Sequence, residues 1–101
     1  MRVYRLSPTA EGDLDDIWQY TALNWSATQA EIYVSRLFDT FVVLGNNHSL
    51  GQRMDSIMEG YRRFRCGHHL IFYLSADDGQ VEVIRILHEK VDIRSHLDDQ
   101  Q

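Results

Sequence analysis

Two stretches of helical periodicity, separated by four residues, constrain this chain more than any other feature of it. Leu14, Ile17, Trp18 and Thr21 recur at helical spacing after Ser7-Pro8, and Ala30, Tyr33, Val34, Leu37, Phe38, Phe41 and Leu44 form a second, wider apolar stripe. Only Leu23 to Ser26 lies between them, so the two helices are expected to turn back on each other as an antiparallel hairpin. Local chemistry marks their starts. Ser7 can accept from the free N–H groups of a first turn, and Pro8 suits the first helical position, where no N–H is needed. Ser26 followed by Gln29 resembles a capping box. Glu11, Asp13, Asp15 and Asp16 crowd the half of the first helix that its dipole makes positive; without calcium-loop spacing they read as a solvated face. Gly45 is expected to end the second helix in a left-handed conformation.

The rest of the chain has strand chemistry. Arg2 to Leu6 alternates polar and apolar residues and reads as a short strand. Residues 46–59 show no sustained period and read as a loop with one helical turn. From Tyr61 the period drops to two: Tyr61 to Cys66 and His69 to Leu74 flank Gly67-His68 as a tight hairpin. Asp77-Asp78-Gly79 then turns into a strand from Val81 to Leu87, and Asp92 to Leu97 reads as a short closing helix. His69 to Leu74 is apolar on both faces, which places it centrally in the sheet. The fold class is therefore α+β, ordered strand-helix-helix-strand-strand-strand, with the helix hairpin packed on one face of an antiparallel sheet. No repeat or linker interrupts it, so residues 1–101 read as one domain.

Charge and cysteine content narrow the function. Ten Lys and Arg against fifteen Asp and Glu give −5 at pH 7, which disfavours a generic nucleic-acid-coating role. The lone Cys66 excludes an intramolecular disulfide framework and a cysteine-based zinc site. No apolar run approaches the ~20 residues of a membrane span, and the first residues lack a secretory signal's apolar stretch, so a cytoplasmic location is expected. The basic charge is uneven. Nine of the ten basic residues are Arg, with Arg62, Arg63 and Arg65 close together, and no acidic residue lies between Gly60 and Ala76. A period of two sends Arg63 and Arg65 to one sheet face and Arg62 to the other. Arg85, among apolar neighbours, is expected to be partly buried or paired with a carboxylate. The Arg cluster is either a solvated face or a patch for an acidic peptide or a nucleic-acid backbone.

Several residues could carry chemistry, and each has a structural alternative. His68 and His69 are adjacent, so in a strand they would point to opposite faces and could not chelate one ion together. His88, Asp92 and His96 would align on a helix, but His88 ends a strand; no metal or other cofactor is expected. His88-Glu89 near Arg85 could form an acid–base pair beside a phosphate-holding Arg, the minimum for RNA cleavage; ion pairing at a strand end explains the same residues. Cys66 reads as a small packing residue rather than a nucleophile. Trp18 and Trp25 fall seven apart and read as core packing. No Gly-rich phosphate loop or serine-nucleophile motif is present.

Four strings, in order, resemble the ParE toxins of bacterial type II toxin–antitoxin modules, within the RelE/ParE superfamily. They are Leu6-Ser7-Pro8-Thr9-Ala10, Asp13 to Tyr20, Tyr61 to Tyr73 and Val83 to Lys90, and the likeness runs from residue 2 to about 97. The resemblance implies the same two-helix hairpin on a sheet. It also implies a toxin that inhibits DNA gyrase by binding, without catalytic residues, and that a ParD-like antitoxin neutralises in a heterotetramer or larger complex. No sequence-specific DNA binding by the toxin alone is implied. An antitoxin tail would lie on the hairpin and sheet edge, through Trp18, Tyr33, Leu37, Arg63, Arg65 and Arg85; gyrase would meet Arg63, Arg65, Arg85 and His88. The superfamily's other branch, similar to RelE, cleaves mRNA on the ribosome, and here Arg85 and His88 would be its catalytic groups. The chain departs from that branch: Lys90 is its only lysine, no tyrosine follows Tyr73, and it is acidic overall.

Overall fold

The structure, a computed structural model, describes residues 3–91. A short strand β1 (Tyr4–Leu6) leads into helices α1 (Pro8–Asn24) and α2 (Ala27–Asn46), then a 3-10 turn at His48–Leu50. Strands β2 (Gln52–Arg53), β3 (Arg62–Cys66), β4 (His69–Ser75) and β5 (Val81–His88) follow. The sheet order is β1-β5-β4-β3-β2. Three of its four pairings are antiparallel, but β1 runs parallel to β5, with Tyr4 opposite Val81 and Leu6 opposite Val83. The sheet is thus mixed where the sequence suggested an antiparallel one, because the helix hairpin carries the chain back over the sheet before the last strands form. β2 is a further difference: Gln52 and Arg53 pair with Arg63 and Arg62, too few residues to show a period. The expected closing helix at 92–97 lies outside the described residues.

Both helix starts follow their sequence signals. Ser7 Oγ accepts from the Ala10 N–H at 3.0 Å, and Ser26 Oγ from the Gln29 N–H at 3.0 Å. The end of α2 does not. Gly45 lies inside the helix, which runs on to Asn46, and has no positive φ. Its missing side chain serves packing instead: a Cβ there would come within 2.5 Å of the Val3 side chain and carbonyl. The β3–β4 hairpin uses glycine as read, with Gly67 at φ 61°.

The hairpin lays Leu14 and Ile17 of α1, and Leu37, Phe41 and Leu44 of α2, against Ile71, Tyr73, Val81, Val83 and Ile86. β4 sits in the centre of the sheet, and its inner residues are buried on both faces. The second face is covered by the segment between β2 and β3, where Met54 and Met58 pack on Leu70, Phe72 and Leu87. A register shift between Phe72 and Tyr73 leaves Ile84 unpaired on β5. That bulge moves the inward set from Val81 and Val83 to Ile86, so Arg85 is not driven into the helix-facing core.

Tyr73 is the largest fully buried side chain. Its hydroxyl donates to the His48 carbonyl and accepts from the Gly51 N–H, both at 2.8 Å, tying the 3-10 turn to the sheet centre. Tyr73→Phe leaves two backbone groups without that partner and is expected to cost about 1–3 kcal/mol. Urea unfolding of the two proteins measures this; equal midpoints would mean the turn is held by packing alone.

Candidate functional site

The site residues expected from sequence separate into three surfaces. The first is the edge of β5, where β1 pairs only as far as Val83. Beyond it, α1 supplies the missing partners: the Ser7 N–H donates to Val83 O at 2.9 Å, Ser7 Oγ donates to Ile84 O at 2.8 Å, and Asp13 Oδ2 accepts the Ile86 N–H at 2.9 Å. The same carboxylate takes Arg85 in a two-pronged pair, Nε to Oδ2 at 3.0 Å and Nη2 to Oδ1 at 3.3 Å. The two side chains are only 18% and 11% exposed. Arg85 is therefore paired as expected, and Asp13 is not part of a solvated face: a backbone donor and a guanidinium hold it inward. A guanidinium so engaged is not on offer to a partner or to a phosphate.

The second surface is the sheet face that carries Arg63 and Arg65. Arg63 reaches only Gln52 Oε1, at 3.2 Å from Nη2, while Arg65 is ion-paired with Glu89. Arg62 turns the other way and donates to the Gly51 carbonyl at 2.8 Å. Arg63 and Arg65 border a shallow recess of about 410 Å³ with Leu70 at its base. Of the three arginines in this run, only Arg65 has a carboxylate partner among the described residues.

The third surface is at the linker end of the hairpin, and its residues show no common role when read along the chain. Tyr20, Trp25, Tyr33, His68, His69 and His88 line a cavity of about 310 Å³. His88 lies opposite His69 across β4 and β5, their rings 5.4 Å apart edge-to-face, and His68 stacks on His88 at 6.3 Å. Tyr33 organises the group. Its hydroxyl accepts the His68 N–H at 3.0 Å and lies 2.6 Å from His69 Nδ1. Burial, with His88 and His68 nearby, pulls His69 down to about 4, so its ring is neutral, and its Nδ1 pairs with a Tyr33 hydroxyl that also lies 3.3 Å from the Cys66 carbonyl. His88 Nδ1 accepts the Lys90 N–H at 3.2 Å, which places that ring's proton on Nε2. His68 Nδ1 contacts Glu89 Oε2 at 2.8 Å. Hydrogen bonds from Arg65 and then His68 hold Glu89 down to about 2. No group of His, Cys, Asp and Glu among the described residues is arranged to hold a metal ion.

The acid–base trio considered from sequence is not assembled. Glu89 serves Arg65 and His68, and Arg85 serves Asp13. Arg85 and His88 also stand three apart on a strand, so the pleat turns them to opposite faces. Two further expectations need correction. Leu37 is fully buried between α2 and the sheet and has no surface to give an antitoxin. Trp18 and Trp25 are not core residues: they are 37% and 77% exposed, because Trp25 falls at the α1 cap, outside the helical stripe. Trp18 lines a different groove of about 530 Å³, with Leu6, Leu14, Val34 and Phe38 as its apolar wall and Glu11 and Asp15 on it. Tyr33 is half-buried, its hydroxyl committed to the histidine network.

Two outcomes test this geometry. Asp13→Asn is expected to destabilise by roughly 3 kcal/mol, because it strips a largely buried guanidinium of its partner; a loss below about 0.5 kcal/mol in denaturant unfolding would mean the pair is solvent-screened. His69 is depressed in the fold and ordinary in the unfolded chain, so the unfolded state binds the proton first. Stability should therefore fall as pH drops from about 6.5 to 4, by on the order of 2 kcal/mol, and His69→Gln should flatten that slope. Unfolding midpoints at several pH values decide it, and an unchanged slope in the variant would assign it elsewhere.

Comparison with known proteins gives a consistent picture. A family model described as "ParE toxin of type II toxin-antitoxin system, parDE" matches residues 4–93. Toxin ParE1 of Caulobacter vibrioides is 39% identical over 97 residues, which is 96% of this chain and 99% of that one. Toxin ParE1 of Mycobacterium tuberculosis is 35% identical over 94 residues, 93% and 96% of the two chains. Toxin ParE of Escherichia coli is 32% identical over 99 residues, 98% and 96%. A solved structure described as the chromosomal ParDE TA system from P. aeruginosa shares the fold, with a TM-score of 0.72 at 16% identity over 84% of this chain and 92% of that one.

Proposed function

The chain belongs to the ParE toxins of type II toxin–antitoxin systems, and we propose that it acts by binding and inhibiting DNA gyrase in the bacterial cytoplasm. On this reading no residue of the chain does chemistry, and a ParD-like antitoxin neutralises it in a heterotetramer or larger complex. The observation that carries the non-catalytic part is the Asp13–Arg85 pair: the arginine best placed by sequence to hold a phosphate is occupied by a carboxylate of its own chain. The runner-up, ribosome-dependent mRNA cleavage through Arg85 and His88, lacks support for the same reason.

The antitoxin is assigned to the groove between β1, α1 and α2. Trp18 and Phe38, with Val34 beside them, form an apolar wall there that folding leaves partly exposed over the buried Leu14, and such a strip suits a segment that orders on contact. The same tail can continue to Arg63 and Arg65, whereas Arg85 and Leu37 are withdrawn from the expected contacts. The groove itself carries Glu11 and Asp15, so the part of the tail lying in it is expected to be apolar or basic, with its acidic residues further along.

The experiment is DNA supercoiling by purified gyrase with this protein, then with the antitoxin encoded beside it. Inhibition or trapped double-strand breaks, relieved by the antitoxin, is the expected result. Untouched supercoiling from a protein that still stops growth would overturn the gyrase reading. Trp18→Ala with Phe38→Ala should weaken antitoxin binding at least tenfold by calorimetry, since both are aromatic anchors at the groove centre.

A further inference from the structure

We propose that the aromatic cavity at the linker end of the hairpin is the surface through which this chain docks on gyrase, taking a protein segment that sets a carboxylate beside an apolar side chain. This rests on the gyrase reading above and names the contact it leaves open. Three observations point to that occupant.

The first is hydrogen-bonding polarity. The Lys90 N–H occupies Nδ1 of His88, so that ring keeps its own N–H, on Nε2, for an acceptor, and the exposed Trp25 on the same wall adds an indole N–H. Among the described residues, no carboxylate lines the cavity. Glu89, the acidic residue beside it, is spent on Arg65 and His68. Among its described residues, a protein of net charge −5 thus presents at this end of its sheet donors and no free carboxylate. Acidic chemistry is what complements it.

The second is the rim. Tyr20 and Trp25, which line the cavity, are 66% and 77% exposed, and Leu23, between them in sequence, is 86% exposed. A small free anion would leave these side chains in water, whereas a peptide segment covers them. Exposed Trp and Tyr around a pocket match the composition of binding hot spots. The α1 cap does not call for a tryptophan: it is a backbone bond, Trp25 N–H to Thr21 O at 2.9 Å, that any non-proline residue could make.

The third is the contrast with the Trp18–Phe38 groove. That groove is walled by Leu14 and Val34 and carries Glu11, Asp15 and Arg5; Arg5 is ion-paired with Asp78 and Glu82, so the two carboxylates set the opposite polarity. One acidic segment does not fit both surfaces, so the groove and the cavity suit different occupants, and the antitoxin already has the groove.

The test uses the full chain with Trp25→Ala, His88→Ala, the double variant and His88→Asp. Both side chains are exposed, so thermal unfolding should match the parent protein. The expected result is at least a tenfold rise in the concentration that half-inhibits gyrase supercoiling for the double variant, with antitoxin affinity within twofold of the parent. His88→Asp should lose more inhibition than His88→Ala, because it adds the charge the segment carries. Inhibition equal to the parent's would overturn the proposal, as would a matching loss of antitoxin affinity, which would give the cavity to the antitoxin. Equal losses for His88→Asp and His88→Ala would overturn the acidic chemistry. If the parent protein itself leaves gyrase untouched, the gyrase reading falls and this assignment goes with it, an outcome distinct from a parent that inhibits and variants that do so equally.

Discussion

The carboxylate of Asp13 is the interaction on which the arrangement of this protein depends. A parallel strand as short as β1 leaves more than half of β5 without a neighbour on that side, and an open strand edge is both unsatisfied and prone to pair with other chains. The start of α1 closes that edge with side chains in place of a strand. Ser7 caps its own helix and bonds the β5 carbonyl of Ile84, and Asp13, less than two turns further on, takes the Ile86 N–H and the Arg85 guanidinium together. The hairpin is thereby pinned to the sheet at its start, by polar contacts that packing of apolar stripes alone could not orient.

With that edge closed, the two faces of the sheet take different roles. One carries the helices over a core centred on Tyr73, Phe41 and Leu37. The other is thinly covered by Met54 and Met58, a cluster of adaptable side chains on a loop without regular structure. The bulge at Ile84 lets one strand serve both faces. It keeps Val81, Val83 and Ile86 inward while sending Leu87 to the methionine side and Arg85 to Asp13.

What remains for partners is set by this economy. Folding consumes Asp13, which reads as part of a solvated helix face, and Arg85 and Leu37, which the family resemblance offered to partners. It leaves uncovered an acid-bearing apolar groove along the hairpin and a donor-rich aromatic cavity at its linker end. Two surfaces of opposite polarity on one small domain suit a toxin that must meet both a target and an inhibitor. Their separation along α1 lets each be altered without the other.

Much of this was legible in the chain itself. The hairpin followed from two helical periods and a link too short for any other geometry, the helix starts from Ser7-Pro8 and Ser26, and the β3–β4 turn from Gly67. These are local effects, decided by propensity, capping and pattern within a few residues. The family resemblance was likewise readable from ordered strings. Contacts between residues far apart in sequence were not. Gly45 reads as a helix terminator and is instead a spacer for Val3. Trp18 and Trp25 read as core and are surface, because the pattern records which residues are apolar but not which face another element covers. The partnering of Asp13 with Arg85, and the meeting of Tyr33 with three histidines from a turn and two strands, depend on where the sheet register and its bulge set each side chain in space. Sequence determined the elements and their order, through short-range physics; the tertiary structure alone decided which charges are spent on the fold and which are left for a partner, because only three-dimensional proximity pairs them.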